Sequence, residues 1–261
     1  VWNGVRINSA GISAGAGLIS ITGTSNSPGT SYAGVRIEDA TAITSSGALT
    51  ISGTGGSANY GVWMYGTAGT GNISVAGNIN INGQNASRNI GVYLDNSRLI
   101  QSTAGNITLT GVGTYGVYSS ASLVAGNNTT TPSSGGGITV NATGNSGIGV
   151  ELNSGTLIAY GPVSVTASGS GNHSFYVHGT GAKVSSASDI TVNATLGTWG
   201  LTMYDNTLIQ STGGNISVTS NGTAGGLYLN TTGGIVASNN TTSPTTATPT
   251  SGGTLAINAT G

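Results

Sequence analysis

Apolar and polar residues alternate along this chain in short bursts, and the bursts recur. One phrase reads aliphatic, polar, aliphatic, and it usually follows a glycine. It appears as Gly4-Val5-Arg6-Ile7, Gly34-Val35-Arg36-Ile37, Gly61-Val62-Trp63-Met64 and Gly91-Val92-Tyr93-Leu94, and it continues to Gly226-Leu227-Tyr228-Leu229. Nine such units follow one another at intervals of 25 to 33 residues. A second phrase alternates more strictly, as in Ile19-Ser20-Ile21, Leu49-Thr50-Ile51, Ile107-Thr108-Leu109, Ile138-Thr139-Val140 and Leu255-Ala256-Ile257. A small residue stands two places later, for example Gly23, Gly53, Gly83, Gly111, Ala142 and Ala167. Between the two phrases lies a weaker burst such as Leu99-Ile100-Gln101-Ser102 or Leu208-Ile209-Gln210-Ser211. A period of two is the signature of strand. No stretch repeats near 3.6, and Gly and Asn interrupt every window long enough for a helix.

Three short strands per unit predict an all-β fold, a single-stranded parallel β-solenoid (β-helix) of about nine coils with three short strands per coil. Val, Ile and Leu then point inward, and Ser, Thr and Asn outward. Gly and Asn fall at the corners, where a positive φ is expected. A β-sandwich would need hairpin turns and would not hold one strand phrase at a steady interval. A single coil buries too few aliphatic side chains to offset the entropy of its own ordering, so coils must stack to be stable. Nine of them, at about 4.8 Å each, make a rod of about 43 Å.

A longer period is superimposed. The Leu-Ile-Gln-Ser-Thr run at 99–103 returns at 208–212, and Pro-containing, Thr-rich insertions follow both copies at 126–137 and 238–253. The chain therefore reads as one continuous solenoid over 1–261, with four-coil super-repeats at about 34–148 and 149–261. Both inserts are expected on one side of the rod as extruded loops. Joined end to end, Asn258-Ala259-Thr260-Gly261 and Val1-Trp2-Asn3-Gly4 would resemble the passage 193–200. The expectation is a segment of a longer repetitive chain, or a unit that stacks on itself.

Charge narrows the function classes. Five Lys+Arg and six Asp+Glu make 4% of the residues, against about 25% in ordinary domains, and the net charge is −1. Five cations cannot build the basic face that a nucleic-acid partner requires. Membrane insertion is not expected either, since no apolar run approaches the ~20 residues of a spanning helix. With no Cys in the chain, disulfide frameworks and thiolate metal sites are excluded.

The Gly-Asn-Ile-Thr-Leu-Thr-Gly phrase at 105–111, Gly-Asn-Ile-Ser-Val-Thr at 214–219 and the Asn-Ala-Thr turns at 141–143, 193–195 and 258–260 resemble bacterial extracellular β-helical repeat proteins. These are filamentous-haemagglutinin-type exoproteins, autotransporter passenger domains and giant repeat adhesins. The resemblance spans essentially the whole chain. It implies a right-handed coil, export to the cell surface or medium, and a role as a stalk, fibre or adhesin.

No catalytic centre, metal site or cofactor is expected. The acids Glu38, Asp39, Asp95, Glu151, Asp189 and Asp205 are scattered, and Glu38-Asp39 reads as a solvated turn. His173 and His178 read as corner or surface residues without metal-ligand partners. The outward position of the first phrase is more informative. It reads Arg6, Arg36, Trp63, Tyr93, Tyr118, Glu151, Tyr176, Thr202 and Tyr228. Its candidate contact stripe is Arg36, Trp63, Tyr93, Tyr118, Tyr176 and Tyr228, stacked along the rod with Arg36 against Trp63. Such a file either locks strand register or touches glycans, a host or neighbouring cell surface, or another rod. Trp2, Tyr60, Tyr115 and Trp199 have the parity of core plugs. Thr108/Thr110-type pairs on the third strand expose hydroxyl ladders, a distant echo of ice-binding solenoids. Among many sequons, Asn127, Asn128, Asn239 and Asn240 on the inserts are the candidate glycosylation sites.

The sequence thus points first to a rod, stalk or filament segment that self-associates end to end or side by side. An adhesin module using the stripe is the second expectation.

Overall fold

The computed structural model describes residues 2–27, 29, 31–56, 59–66, 71–85, 89–95, 98–238 and 252–261. The chain winds as a β-solenoid of about eight turns, all-β throughout the described residues. Its strands form three parallel stacks. The first begins with Val5–Asn8, Ala33–Glu38, Tyr60–Tyr65 and Ile90–Leu94. The second is a nine-stranded sheet from Gly11–Ala14 to Gly234–Ala237. The third begins with Ile19–Ser25 and Leu49–Gly55 and ends with Leu255–Thr260. Near the end of the chain, Ile190–Asp205 and Ile216–Thr231 each run from the third stack straight into the first.

Register follows the sequence pattern. Ile107 pairs with Ile138, and Ile138 with Val163, so equivalent aliphatics lie directly above one another. The interior files merge into one apolar cluster extending from Ile19 to Val218. On the third stack, burial alternates strictly, with Ile19, Ile21, Gly23 and Ser25 inside and Ser20, Thr22 and Thr24 outside.

Gly71, Gly179 and Gly181 take the expected positive φ at corners, but the phrase glycines do a different job. Among the described residues, positive φ at the corner after the first stack belongs mostly to Ser9, Asp39, Ser154 and Asp205, and Gly179 shares it there. The phrase glycines serve close approach instead. A Cβ on Gly53 would lie 2.0 Å from the Gly61 carbonyl oxygen, and one on Gly83 would lie 2.0 Å from that of Gly91. Third and first stacks therefore meet backbone to backbone along a seam. In later coils Ala142, Ala167 and Ala194 occupy the same file as Gly111, and there the seam is less tight.

Side chains complete the hydrogen bonding where the ladders break. Asn78 Oδ1 accepts the Asn106 N–H at 2.9 Å, and Asn106 Oδ1 accepts that of Gly137 at 2.8 Å. Asp189 and Asn215 repeat the device at 2.7 and 2.8 Å. This is the physical meaning of the Gly-Asn-Ile phrase: each asparagine satisfies a corner N–H on the next coil.

Arg98 is the largest fully buried side chain. It is a position the sequence pattern does not single out. Its guanidinium donates to the carbonyls of Asp39 (2.8 Å), Thr41 (3.2 Å), Tyr65 (3.1 Å) and Gly71 (2.8 Å). It thereby ties three coils together at the corner between the first and second stacks. Burial pulls its pKa down, and the nearby Asp39 charge opposes that.

The second stack is covered in its later coils. In the early coils its outward file carries the exposed Ser13 and Thr44. Further along, the same file carries Val124, Ile158, Ser185 and Gln210, all buried. Residues 126–137 form the loop beside them. Asn127 N–H bonds the Ser134 carbonyl at 3.0 Å, and Asn128 Oδ1 accepts the Thr130 N–H at 2.9 Å, an Asx turn.

Candidate contact face

The outer face of the first stack gathers most of the aromatic rings. Its strands do not alternate cleanly. In Tyr60–Tyr65 both Gly61 and Val62 are buried, because the glycine rests on the backbone of the third stack. That one-residue slip of phase turns Tyr60 outward along with Trp63 and Tyr65. Tyr115 and Trp199 turn outward for the same reason, and both are half-exposed. Trp2 is 71% exposed. The expectation that these four rings plug the core is therefore corrected: the slip at the seam glycine reverses the parity of Tyr60, Tyr115 and Trp199, whereas Trp2, three residues before Val5, faces outward by plain alternation.

Register places Arg6, Arg36, Trp63, Tyr93, Tyr118, Glu151, Tyr176, Thr202 and Tyr228 in one file. The Arg36 guanidinium carbon sits 4.4 Å from the Trp63 ring centroid. Tyr93 stacks on Tyr118 at 4.7 Å. Trp63 and Tyr176 also stack on rings of their own strands, whereas Tyr228 meets rings of the coil before it. Trp63 lies between Tyr60 (4.5 Å) and Tyr65 (4.7 Å). Tyr176 lies between His173 (4.5 Å) and His178 (4.1 Å). Tyr228 meets Trp199 at 5.2 Å and Tyr204 at 5.4 Å. The six stripe residues therefore fall into two groups on either side of Glu151. Tyr65, Tyr204, His173 and His178 belong to the face although the single-file reading omitted them. Their signal in the sequence is spacing of two or three residues from a residue of that outward file on one strand.

The glutamate at the head of the face is not solvated. Glu38 is 1% exposed and accepts hydrogen bonds from Arg6 Nε and the Tyr65 hydroxyl, and Arg36 completes its ion pairing. Two arginines on neighbouring coils explain why this turn position carries a buried carboxylate. Burial pushes the Glu38 carboxyl up, but the hydrogen bonds from Arg6 and Tyr65 and the Arg36 charge outweigh it and leave the pKa lowered. Asp95, in the same file with Tyr65 between them, accepts from the hydroxyls of Tyr93 (3.2 Å) and Ser120 (3.0 Å). Glu151 bonds His178 Nε2 at 2.9 Å, and His173 Nδ1 meets Thr202 Oγ1 at 2.9 Å. Burial, with the His178 charge added, lowers the pKa of His173. Burial raises those of Tyr93, Tyr118 and Tyr176, so these phenols stay protonated donors near neutral pH.

Chemically, the face offers ring edges and phenol hydroxyls. The flat surfaces of Trp63 and Tyr176 are each covered on both sides by neighbours. The described residues hold no group of three or more His, Asp or Glu that could bind a metal ion. The sequons Asn127 and Asn128 are exposed on the 126–137 loop, with the Asn127 amide nitrogen donating to Ser133 Oγ at 3.0 Å. Asn239 and Asn240 lie outside the described residues.

No protein-family model, curated protein or solved structure matches the chain significantly.

Proposed function

We propose that this chain is a rod-forming segment of a secreted or surface-attached bacterial fibre, stalk or adhesin, and that its role is mechanical. The observation that supports this most directly is the single unbroken apolar cluster from Ile19 to Val218, enclosed by three parallel ladders. Each coil uses its neighbours as its core, so the chain supplies stiffness along one axis rather than a concave site. The low charge leaves little repulsion against end-to-end or side-by-side association. The Gly-Asn-Ile repeats, and their likeness to bacterial β-helical exoproteins, support export. Negative-stain images and small-angle scattering test the reading. Stiff rods that lengthen with chain length are expected, and compact or flexible particles would overturn it. Surface proteolysis of intact source cells tests the location.

A second reading is direct binding of glycans or cell surfaces through Arg36, Trp63, Tyr93, Tyr118, Tyr176 and Tyr228. Their half-exposure favours it. Sugar rings, however, stack on open aromatic faces, and several faces here are covered by other rings. Replacing Trp63 and Tyr93 together by Ala and measuring binding to cells or a glycan array separates the two readings. Unchanged binding removes the stripe as the contact.

A further inference from the structure

The first insert does more than leave the rod and return. Thr130, Thr131 and Pro132 form one wall of a cavity of about 100 Å³ against the second stack. Ile158 and Ala159 line it from one coil, Lys183 and Ser185 from the next, and Gln210 and Thr212 from the one after. Lys183 is the unusual member. Its ammonium makes no hydrogen bond or ion pair with any described residue, and no Asp or Glu lines the cavity. Burial lowers its pKa. The cations on the first stack, Arg6 and Arg36, are paired with Glu38. Arg98 is surrounded by four carbonyls. A half-buried ammonium with no partner is an unfavourable arrangement that a bound anion relieves.

We propose that the cavity between the 126–137 loop and the second stack binds an oxyanion group, with Lys183 as its counter-charge and the hydroxyls of Thr130, Thr131 and Ser185 around it. The size fits the group: the space is a few times the ~30 Å³ share of one liquid water. It has room for a sulfate, a phosphate or a carboxylate. An acidic sugar would present its carboxylate to the lysine. This site is separate from the aromatic face, and its failure would leave the rod reading untouched.

Titration of the 261-residue chain with inorganic sulfate, inorganic phosphate and glucuronate tests it, read by the chemical shift of the Lys183 side-chain methylene and by calorimetry. Saturable binding is expected for at least one anion. Glucuronate would point to an acidic glycan as the source, and sulfate or phosphate alone to a free inorganic anion. Lys183→Met should weaken binding about tenfold or more, the loss expected of one charge-assisted hydrogen bond, and Lys183→Arg should retain most of it. Replacing 127–134 by a short glycine link keeps the lysine and opens the site, so binding should fall while the far-ultraviolet spectrum is unchanged. That variant carries the test if Lys183→Met does not fold. Absence of saturable binding by all three anions, or equal affinity in Lys183→Met, would overturn the proposal.

Discussion

The first and third stacks are built on the same parallel ladder, yet they set their side-chain phase differently. On the third stack alternation alone decides which residue is buried, and hydroxyls and amides face water in straight files. On the first stack the phase slips by one residue at the seam, and the outer face becomes a mosaic of rings, charges and imidazoles. A backbone contact between sheets can thus override a side-chain pattern. On the third stack the seam glycines keep the phase of their strand, and on the first stack the buried glycine beside a second buried residue breaks it.

The largest effect is expected at the corner after the first stack. Arg98→Met should cost about 4 kcal/mol, because buried carbonyls on two earlier coils lose their donor. Urea unfolding checks this, and a loss below about 1 kcal/mol, within the range of a single neutral hydrogen bond, would show that water replaces the guanidinium. Next is the seam. Gly83→Val should cost about 3 kcal/mol, since the added Cβ meets backbone that cannot rotate away. The reverse change, Ala142→Gly, should cost only about 0.5–1 kcal/mol through chain entropy.

Third comes the charge at the head of the face. Glu38→Gln should cost about 2 kcal/mol at neutral pH. The folded carboxyl has its pKa lowered from 4.5. Its contribution is therefore fully present above that value and is lost as the pH falls through the lower, folded pKa. Thermal melts of wild type and Glu38→Gln should accordingly converge in acid, and a gap that persists there would assign the effect to packing. Fourth, Trp63→Ala should remove about 1 kcal/mol of ring stacking, seen as a small shift in the melt. Smallest of all, Thr108→Val on the third stack should stay within about 0.5 kcal/mol. A larger loss there would mean that the hydroxyl files carry structural weight and that the two stacks are less different than they look.

Much of the fold could be read from the chain. The Ile107, Ile138 and Val163 file followed from strict alternation and a steady interval, and so did the parallel order of the coils. What could not be read depended on contacts between strands far apart in sequence. Tyr60, Tyr115 and Trp199 carry core-like parity, and only the seam contact of Gly61 and its equivalents turns them outward. Glu38 looks like a surface acid until Arg6, from the coil before, is placed beside it together with Arg36 of its own strand. Arg98 gives no periodic signal, because its partners are carbonyls, which every residue has. Val124 and Ile158 did leave a trace, as second apolar residues in a row after Leu123 and Leu157. The trace becomes interpretable once the 126–137 loop is seen beside them.

The seam also bears on how such a rod would deform. Along that line the polypeptide presses against itself with no flexible group between, so shear there meets hard repulsion at once. On the opposite side the second stack carries an appended loop and a small void, which leaves room to yield. The object is thus a beam with an unequal pair of edges. It should curve preferentially in the plane containing both, and that bias would be visible as a preferred bending direction in images of long assemblies.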